Sequence, residues 1–168
     1  EGARQTTVNR RLVAEARAGR RVVRLKGGDP FLFGRGGEEA LALAKARIPF
    51  QVVPGVSSAL AVPAFAGIPA TFRGKASAVM ILTARQGRGL RGQGYDLAAA
   101  VKSRATLVFL MGLGRMASLL KELQEAGLRG FTPAAAISWG STVLQKTVAG
   151  TVGTLARKEE GPARHYYH

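Results

Sequence analysis

Residues Arg24–Glu39 read RLKGGDPFLFGRGGEE, and the fold turns on this stretch. The run leading into it, RVVRLK (Arg21–Lys26), is short and alternates. Val22, Arg24 and Lys26 share one face and Val23 and Leu25 the other, which predicts a strand. Gly27–Gly37 form a glycine-rich loop. A helix is expected from Glu38 to about Arg47, with Glu38 and Glu39 near the positive end of its dipole. Strand, glycine loop and helix in that order belong to an α/β unit, and open α/β sheets bind ligands at strand ends. Adjacent Gly27 and Gly28 let a ligand approach backbone N–H and C=O groups with no Cβ in the way. Asp29 is one of only ten acids in the chain, and Pro30 stiffens the turn beside it. Two readings of Asp29 stand at this point. It holds a cation or a pair of ligand hydroxyls, or it caps backbone donors of a structural turn.

Working outward, Arg4–Ala18 reads as an amphipathic helix. Its stripe is Val8, Leu12, Val13 and Ala16, and Gly19 is placed to stop it. Downstream, PFQVV (Pro49–Val53) is the next expected strand, ended by Pro54-Gly55. Ser57 or Ser58 can cap a helix that Pro63 and Gly67 limit. The polar link Arg73–Lys75 restarts the pattern, giving expected domains over residues 1–73 and 76–168. Ala78–Thr83 is a strand, Arg85–Gly94 a Gly/Arg loop, Tyr95–Ser103 a helix and Thr106–Met111 a buried strand. Met116–Ala126 is a helix closed by Gly127. Pro133–Trp139 and Gln145–Ala149 are strands, and a short helix begins near Thr151. Strands alternating with helices argue for the α/β class.

Composition narrows the function. The 168 residues suit one ordinary domain or two small ones. With no cysteine there is no disulfide scaffold, thiolate metal site or Cys nucleophile, and a reducing, cytoplasmic setting fits. The two histidines, His165 and His168, sit in the last four residues, leaving almost nothing for a metal site or a Ser-His-Asp triad. No apolar run approaches the roughly 18 residues of a spanning helix. The net charge of +15 points to an anionic ligand. Aromatics are only 7%, and the basic residues form no long run. A small polycarboxylate or phosphate is therefore favoured over nucleic acid.

The block RLKGGDPFLFGRGGEE, then VVPGVSSA (Val52–Ala59) and AGIPATFR (Ala66–Arg73), resembles the uroporphyrinogen-III C-methyltransferases, a branch of the tetrapyrrole methylases. Gln5 and Asn9 fit the preceding helix of that family. FLMG (Phe109–Gly112), TPAAAI (Thr132–Ile137) and WGSTVLQKTVAGT (Trp139–Thr151) follow in its order. The likeness runs from about Gln5 to Leu155. It implies two α/β domains with a cofactor cleft between them, the first domain incomplete here, and usually a homodimer. It implies S-adenosylmethionine as cofactor and conversion of uroporphyrinogen III to precorrin-2, on the way to sirohaem or cobalamin. By resemblance the cofactor contacts are Gly27, Gly28, Asp29, Leu32, Ser57, Ser58, Met111 and Gly140, with Ala135 nearby. The substrate carries many carboxylates, and Arg35, Arg73 and Arg85, with Arg88 beside them, are the candidate partners.

The sequence departs from that family in places. The opening strand and Gly-Pro-Gly-Asp loop of the family are missing, and with them the residues assigned to proton handling, so no catalytic acid or base is named. The expectation is an N-terminally shortened chain that binds cofactor weakly and turns over poorly. Phe72 stands where a His is common, and Thr83-Ala84-Arg85 replaces Thr-Gly-His. ARHYYH at the end does not continue the final apolar strand.

Four other readings compete. Another precorrin methyltransferase of the same fold resembles the chain as well, but FGRGGEE (Phe33–Glu39) fits the uroporphyrinogen enzymes better. MGLGRMA (Met111–Ala117) follows a strand and opens a helix, as a dinucleotide-binding G-x-G-x-x-A would, but no acid lies about twenty residues on. GVSSA (Gly55–Ala59) loosely mimics a nucleophile elbow without a histidine base. A basic RNA-binding protein rests on the charge alone.

Overall fold

The computed structural model describes residues 2–84 and 94–158. The Gly/Arg loop after Ala84 and the C-terminal ARHYYH lie outside the described residues. In chain order the elements are α1 (Gly2–Arg17), α2 (Gly36–Lys45), α3 (Ser58–Phe65), β1 (Val79–Thr83), α4 (Leu97–Lys102), β2 (Thr106–Leu110), α5 (Met116–Glu125), β3 (Pro133–Ser138), β4 (Lys146–Thr151) and α6 (Leu155–Lys158). They divide into two compact units, Glu1–Ser57 and Ser58–His168. The division falls ahead of α3, where the sequence reading set its boundary at 73–76. Contacts of α3 with β2 draw it into the second unit.

The first unit pairs α1 with α2. Leu12 is buried, as its place on the apolar stripe requires. Arg21–Lys26 and Pro49–Val53, both expected as strands, have no ladder partner among the described residues. Val23 and Leu25 are 83% and 84% exposed, and Val53 is 76% exposed. Alternation fixes which side chains share a face. A strand forms only where a neighbour completes its hydrogen bonds.

In the second unit β1 and β2 lie parallel, Val79 opposite Thr106 and Thr83 opposite Leu110, with α4 in the crossover. Asp96 starts α4, its carboxylate accepting from Ala99 N–H at 3.0 Å. The residues of β2 are half-buried rather than buried. β3 and β4 form an antiparallel pair, Pro133 opposite Thr151 and Ser138 opposite Lys146. The core is organised by α5. Met116 and Leu120, four apart, pack with Val152 and Leu155. Leu119 and Leu123, each three residues further along the helix, pack with Ala84. Each such side chain taken fully out of water contributes about 1.5–3 kcal/mol.

Helix ends recur in one form. Gly67 (φ 71°) follows α3, its N–H reaching Ala64 C=O at 3.0 Å while Ile68 N–H reaches Pro63 C=O at 2.9 Å. Pro63 was expected to limit this helix. It lies inside instead, because it removes one donor while its own carbonyl still accepts the closing bond. At the ends of α2 and α4 the left-handed residue is an arginine, Arg47 (φ 57°) and Arg104 (φ 59°).

Candidate functional site

In the first unit the glycine loop is a closed turn. Gly36 N–H donates to Pro30 C=O at 3.1 Å, and the chain then enters α2. Asp29 Oδ1 accepts from Phe31 N–H at 2.8 Å and Leu32 N–H at 3.2 Å. Its Oδ2 accepts from Gly55 N–H at 3.2 Å. Hydrogen bonds from Phe31, then Gly55 and Leu32, hold this carboxyl below the usual aspartate range, against a smaller opposing effect of desolvation. Asp29 thus caps backbone donors of the turn. It also ties the loop to the segment that ends at Ser57. Its Oδ2 takes one bond here and has capacity for another.

The contact between Gly28 and Gly55 is tight enough to fix both residues. A Cβ on Gly55 would fall 2.3 Å from the Gly28 carbonyl oxygen. A Cβ on Gly27 would meet no atom of the described residues within 4 Å, so among them Gly27 lies against open space. The expected chemistry therefore divides along the loop: open backbone at Gly27, close internal packing from Gly28 to Gly55. Leu32 is half-buried, Phe31 and Phe33 are exposed, and Ser57 is buried.

A second group of polar contacts stands behind the loop. Glu39, in the first turn of α2, is 5% exposed. Its Oε1 accepts from Gln5 Nε2 at 3.1 Å and Arg24 Nε at 3.2 Å, and its Oε2 from Lys26 Nζ at 2.7 Å. Burial pushes the Glu39 carboxyl up, and the hydrogen bonds from Lys26, Gln5 and Arg24 together outweigh it and hold it low. Gln5 Nε2 also donates to Asn9 Oδ1 at 3.0 Å. The sequence reading took Glu39 for a helix-dipole acid and missed this cluster. The signal was the amide pair Gln5 and Asn9, four apart on an amphipathic helix. Arg35, a candidate substrate partner, makes a bidentate pair with Glu38 at 2.8 Å for both bonds, and that pair draws the Glu38 carboxyl down.

The remaining predicted residues fall in the second unit. Ser58 begins α3. Met111 follows β2 with φ 58° and is 53% exposed. Ala135 is an exposed residue of β3, opposite Ala149, and alternates with Ala134 and Ala136, which pack on the core. Gly140 packs against α3, and a Cβ there would stand 2.4 Å from a Val62 methyl. Arg73 is exposed within the Phe72–Ala76 hairpin. Arg85 and Arg88 lie outside the described residues. The MGLGRMA turn contains a 3-10 segment, Leu113–Arg115. Arg115 donates to the Ala84 carbonyl at 2.7 Å and pairs with Glu122, so a side chain of the turn itself holds it. An open hollow of about 580 Å³ at the start of α5 is lined by Leu113–Ser118 and Ala156, none of them a predicted site residue.

Among the described residues no three His, Cys, Asp or Glu side chains come together as a metal site. No described helix is long and apolar enough to cross a membrane.

A mixed helix and strand chain with a Gly-Gly-Asp loop ahead of a helix defines the class, and comparison with known proteins agrees. The chain belongs to the tetrapyrrole (corrin/porphyrin) methylases, whose family model matches residues 1–156. It is 43% identical over 156 residues to a uroporphyrinogen-III C-methyltransferase of Methanocaldococcus jannaschii, a match covering 92% of this chain and 64% of that protein. It is 44% identical over 162 residues to siroheme synthase 2 of Cronobacter sakazakii, covering 95% of this chain and 35% of that protein. Among solved structures it resembles the uroporphyrin-III C-methyl transferase of Thermus thermophilus complexed with S-adenyl homocysteine. That likeness has a TM-score of 0.77 and 38% identity, over 96% of this chain and 69% of that one. The chain thus spans about a third to two thirds of the length of these relatives.

Proposed function

We propose that this chain forms part of an S-adenosylmethionine-dependent C-methyltransferase that converts uroporphyrinogen III to precorrin-2. The observation that carries the reading is the Gly27–Asp29 loop, open at Gly27 and pinned from behind through Asp29. Its relatives at 38% and 43% identity carry the name of that activity.

The residues fit such a cofactor. Backbone at Gly27 is accessible, and Asp29 retains acceptor capacity on Oδ2 while its charge is held by neighbouring N–H groups. Gly27, Gly28, Asp29, Leu32 and Ser57 would hold it from the first unit, and Ser58, Met111, Ala135 and Gly140 from the second. When bound, the cofactor supplies a methyl group activated on a sulfonium. The protein's own work is orientation and exclusion of water. Arg35, Arg73 and Arg85 would pair with the acetate and propionate groups of the tetrapyrrole. For Arg35 this means sharing a guanidinium already joined to Glu38.

The assembly proposed is a homodimer in the cytoplasm. The β3–β4 connection exposes Trp139, Val143 and Leu144, apolar surface that association would cover. The decisive experiment titrates the full gene product with S-adenosylhomocysteine by calorimetry and follows labelled methyl transfer to uroporphyrinogen III. Saturable binding with two methyl groups transferred per tetrapyrrole is the expected result. Absence of binding would overturn the reading.

A further inference from the structure

Lys26 is the last residue before Gly27-Gly28-Asp29, and Glu39 sits in the helix turn that follows the loop. Their side chains meet at 2.7 Å, across 13 residues of chain. Both are withdrawn from water, with side-chain exposures of 11% for Lys26 and 6% for Glu39. The bond therefore closes the loop at its base, joining the point where the chain enters to the point where it leaves. Gln5 and Arg24 complete the carboxylate's bonding and tie in α1. No ladder holds Arg21–Lys26 among the described residues. Two residues of the segment ahead of the loop donate to this one carboxylate.

We infer that Glu39 is a positioning residue for the cofactor loop, acting through Lys26 to fix the backbone of Gly27, Gly28 and Asp29. The inference rests on the reading of that loop as the cofactor site. A buried ion pair that loses one member leaves an uncompensated charge, which relieves itself by moving. Here the movable member is attached directly to the ligand-facing backbone. Glu39 has a role distinct from that of Asp29. Asp29 fastens the loop to Gly55 from within, whereas Glu39 sets where the loop begins and ends.

The test compares Glu39→Gln, Lys26→Gln and Leu12→Ala in the full gene product, measuring S-adenosylhomocysteine dissociation constants and melting temperatures together. Leu12 is buried on α1 and serves as the purely structural control. Glu39→Gln and Lys26→Gln are expected to weaken binding about 10- to 100-fold, the scale seen when a partner that orients ligand-contacting groups is lost. Leu12→Ala should lower the melting temperature with binding within about twofold of the parent, since it leaves the loop's polar ties in place. Should Glu39→Gln fail to fold, Lys26→Gln breaks the same bond from the other side. Parent-like binding by a folded Glu39→Gln or Lys26→Gln protein overturns the inference while the cofactor reading stands. So does a loss of affinity in Leu12→Ala as large as theirs. A parent protein that does not bind overturns both.

Discussion

The two units hold themselves together by different means. In the first, the buried side chains among the described residues are Leu12, Gln5, Glu39 and Ser57, and three of these four are polar. In the second they include Ala84, Ala100, Met116, Leu119, Leu120, Leu123, Val152 and Leu155, all apolar. An apolar core depends on area removed from water and tolerates small shifts. A buried polar cluster depends on distances, charges and complete pairing. The unit that carries the glycine loop is the one built from directional contacts. Its geometry is therefore more sharply specified and more easily disturbed than that of its neighbour.

The largest effect that would test this contrast is in the apolar unit. Leu123→Ala should cost about 2–5 kcal/mol in urea denaturation, because the side chain is 5% exposed and packs against Ala84 and Leu119. A cost below about 1 kcal/mol would mean that α5 does not organise the core. Next comes Gly55→Ala. The added methyl would meet the Gly28 carbonyl, so the loop must move, at a cost of about 1–3 kcal/mol. Binding of S-adenosylhomocysteine should fall with it, and unchanged binding would separate the Gly28–Gly55 contact from the site.

A smaller effect is read by pH. Glu39, Glu38 and Asp29 all have carboxyls held below their ordinary values, which are 4.5 for Glu and 3.8 for Asp. Such groups contribute stability above the unfolded value and lose it as pH falls through the folded one. Protection of α1 and α2 amides against hydrogen exchange should therefore weaken as pH drops below about 4.5, after correction for intrinsic rates. Glu39→Gln should flatten part of that slope, and protection that rises on acidification would contradict the assignment. The smallest effect belongs to the exposed Arg35–Glu38 pair. Glu38→Ala should change stability by no more than about 0.5 kcal/mol, since both partners face water. A change well above that would give the pair a structural role that its exposure does not suggest.

Much of the second unit was legible in sequence because its signals are local. The β1, β2, β3 and β4 runs alternate or are short and apolar. α5 repeats at helical spacing, and Gly127 marks its end as expected. The first unit was harder. Arg21–Lys26 and Pro49–Val53 carry strand patterns, yet a ladder needs a neighbour, and no pattern within six residues says who that is. Glu39 looked like any acid at a helix start, because its partners are Gln5, thirty-four positions away, and the two cations ahead of the loop. Asp29 was legible as a choice between two roles, and the bonds from Phe31, Leu32 and Gly55 show the capping role. The importance of Gly27 and Gly28 could be read from the motif. The different demands on Gly27 and Gly55 needed coordinates.

Arg47 and Arg104 close their helices in a backbone conformation where glycine costs less by about 1 kcal/mol. Among the described residues neither cation pairs with an anion, so no ion pair offsets the strain of the turn. An isoelectric point near 11.5 therefore overstates how much of this surface is built to recognise acids. Replacing both arginines with glycine offers a way to make the fold sturdier and less adhesive to polyanions at once, leaving every group around the glycine loop as it is.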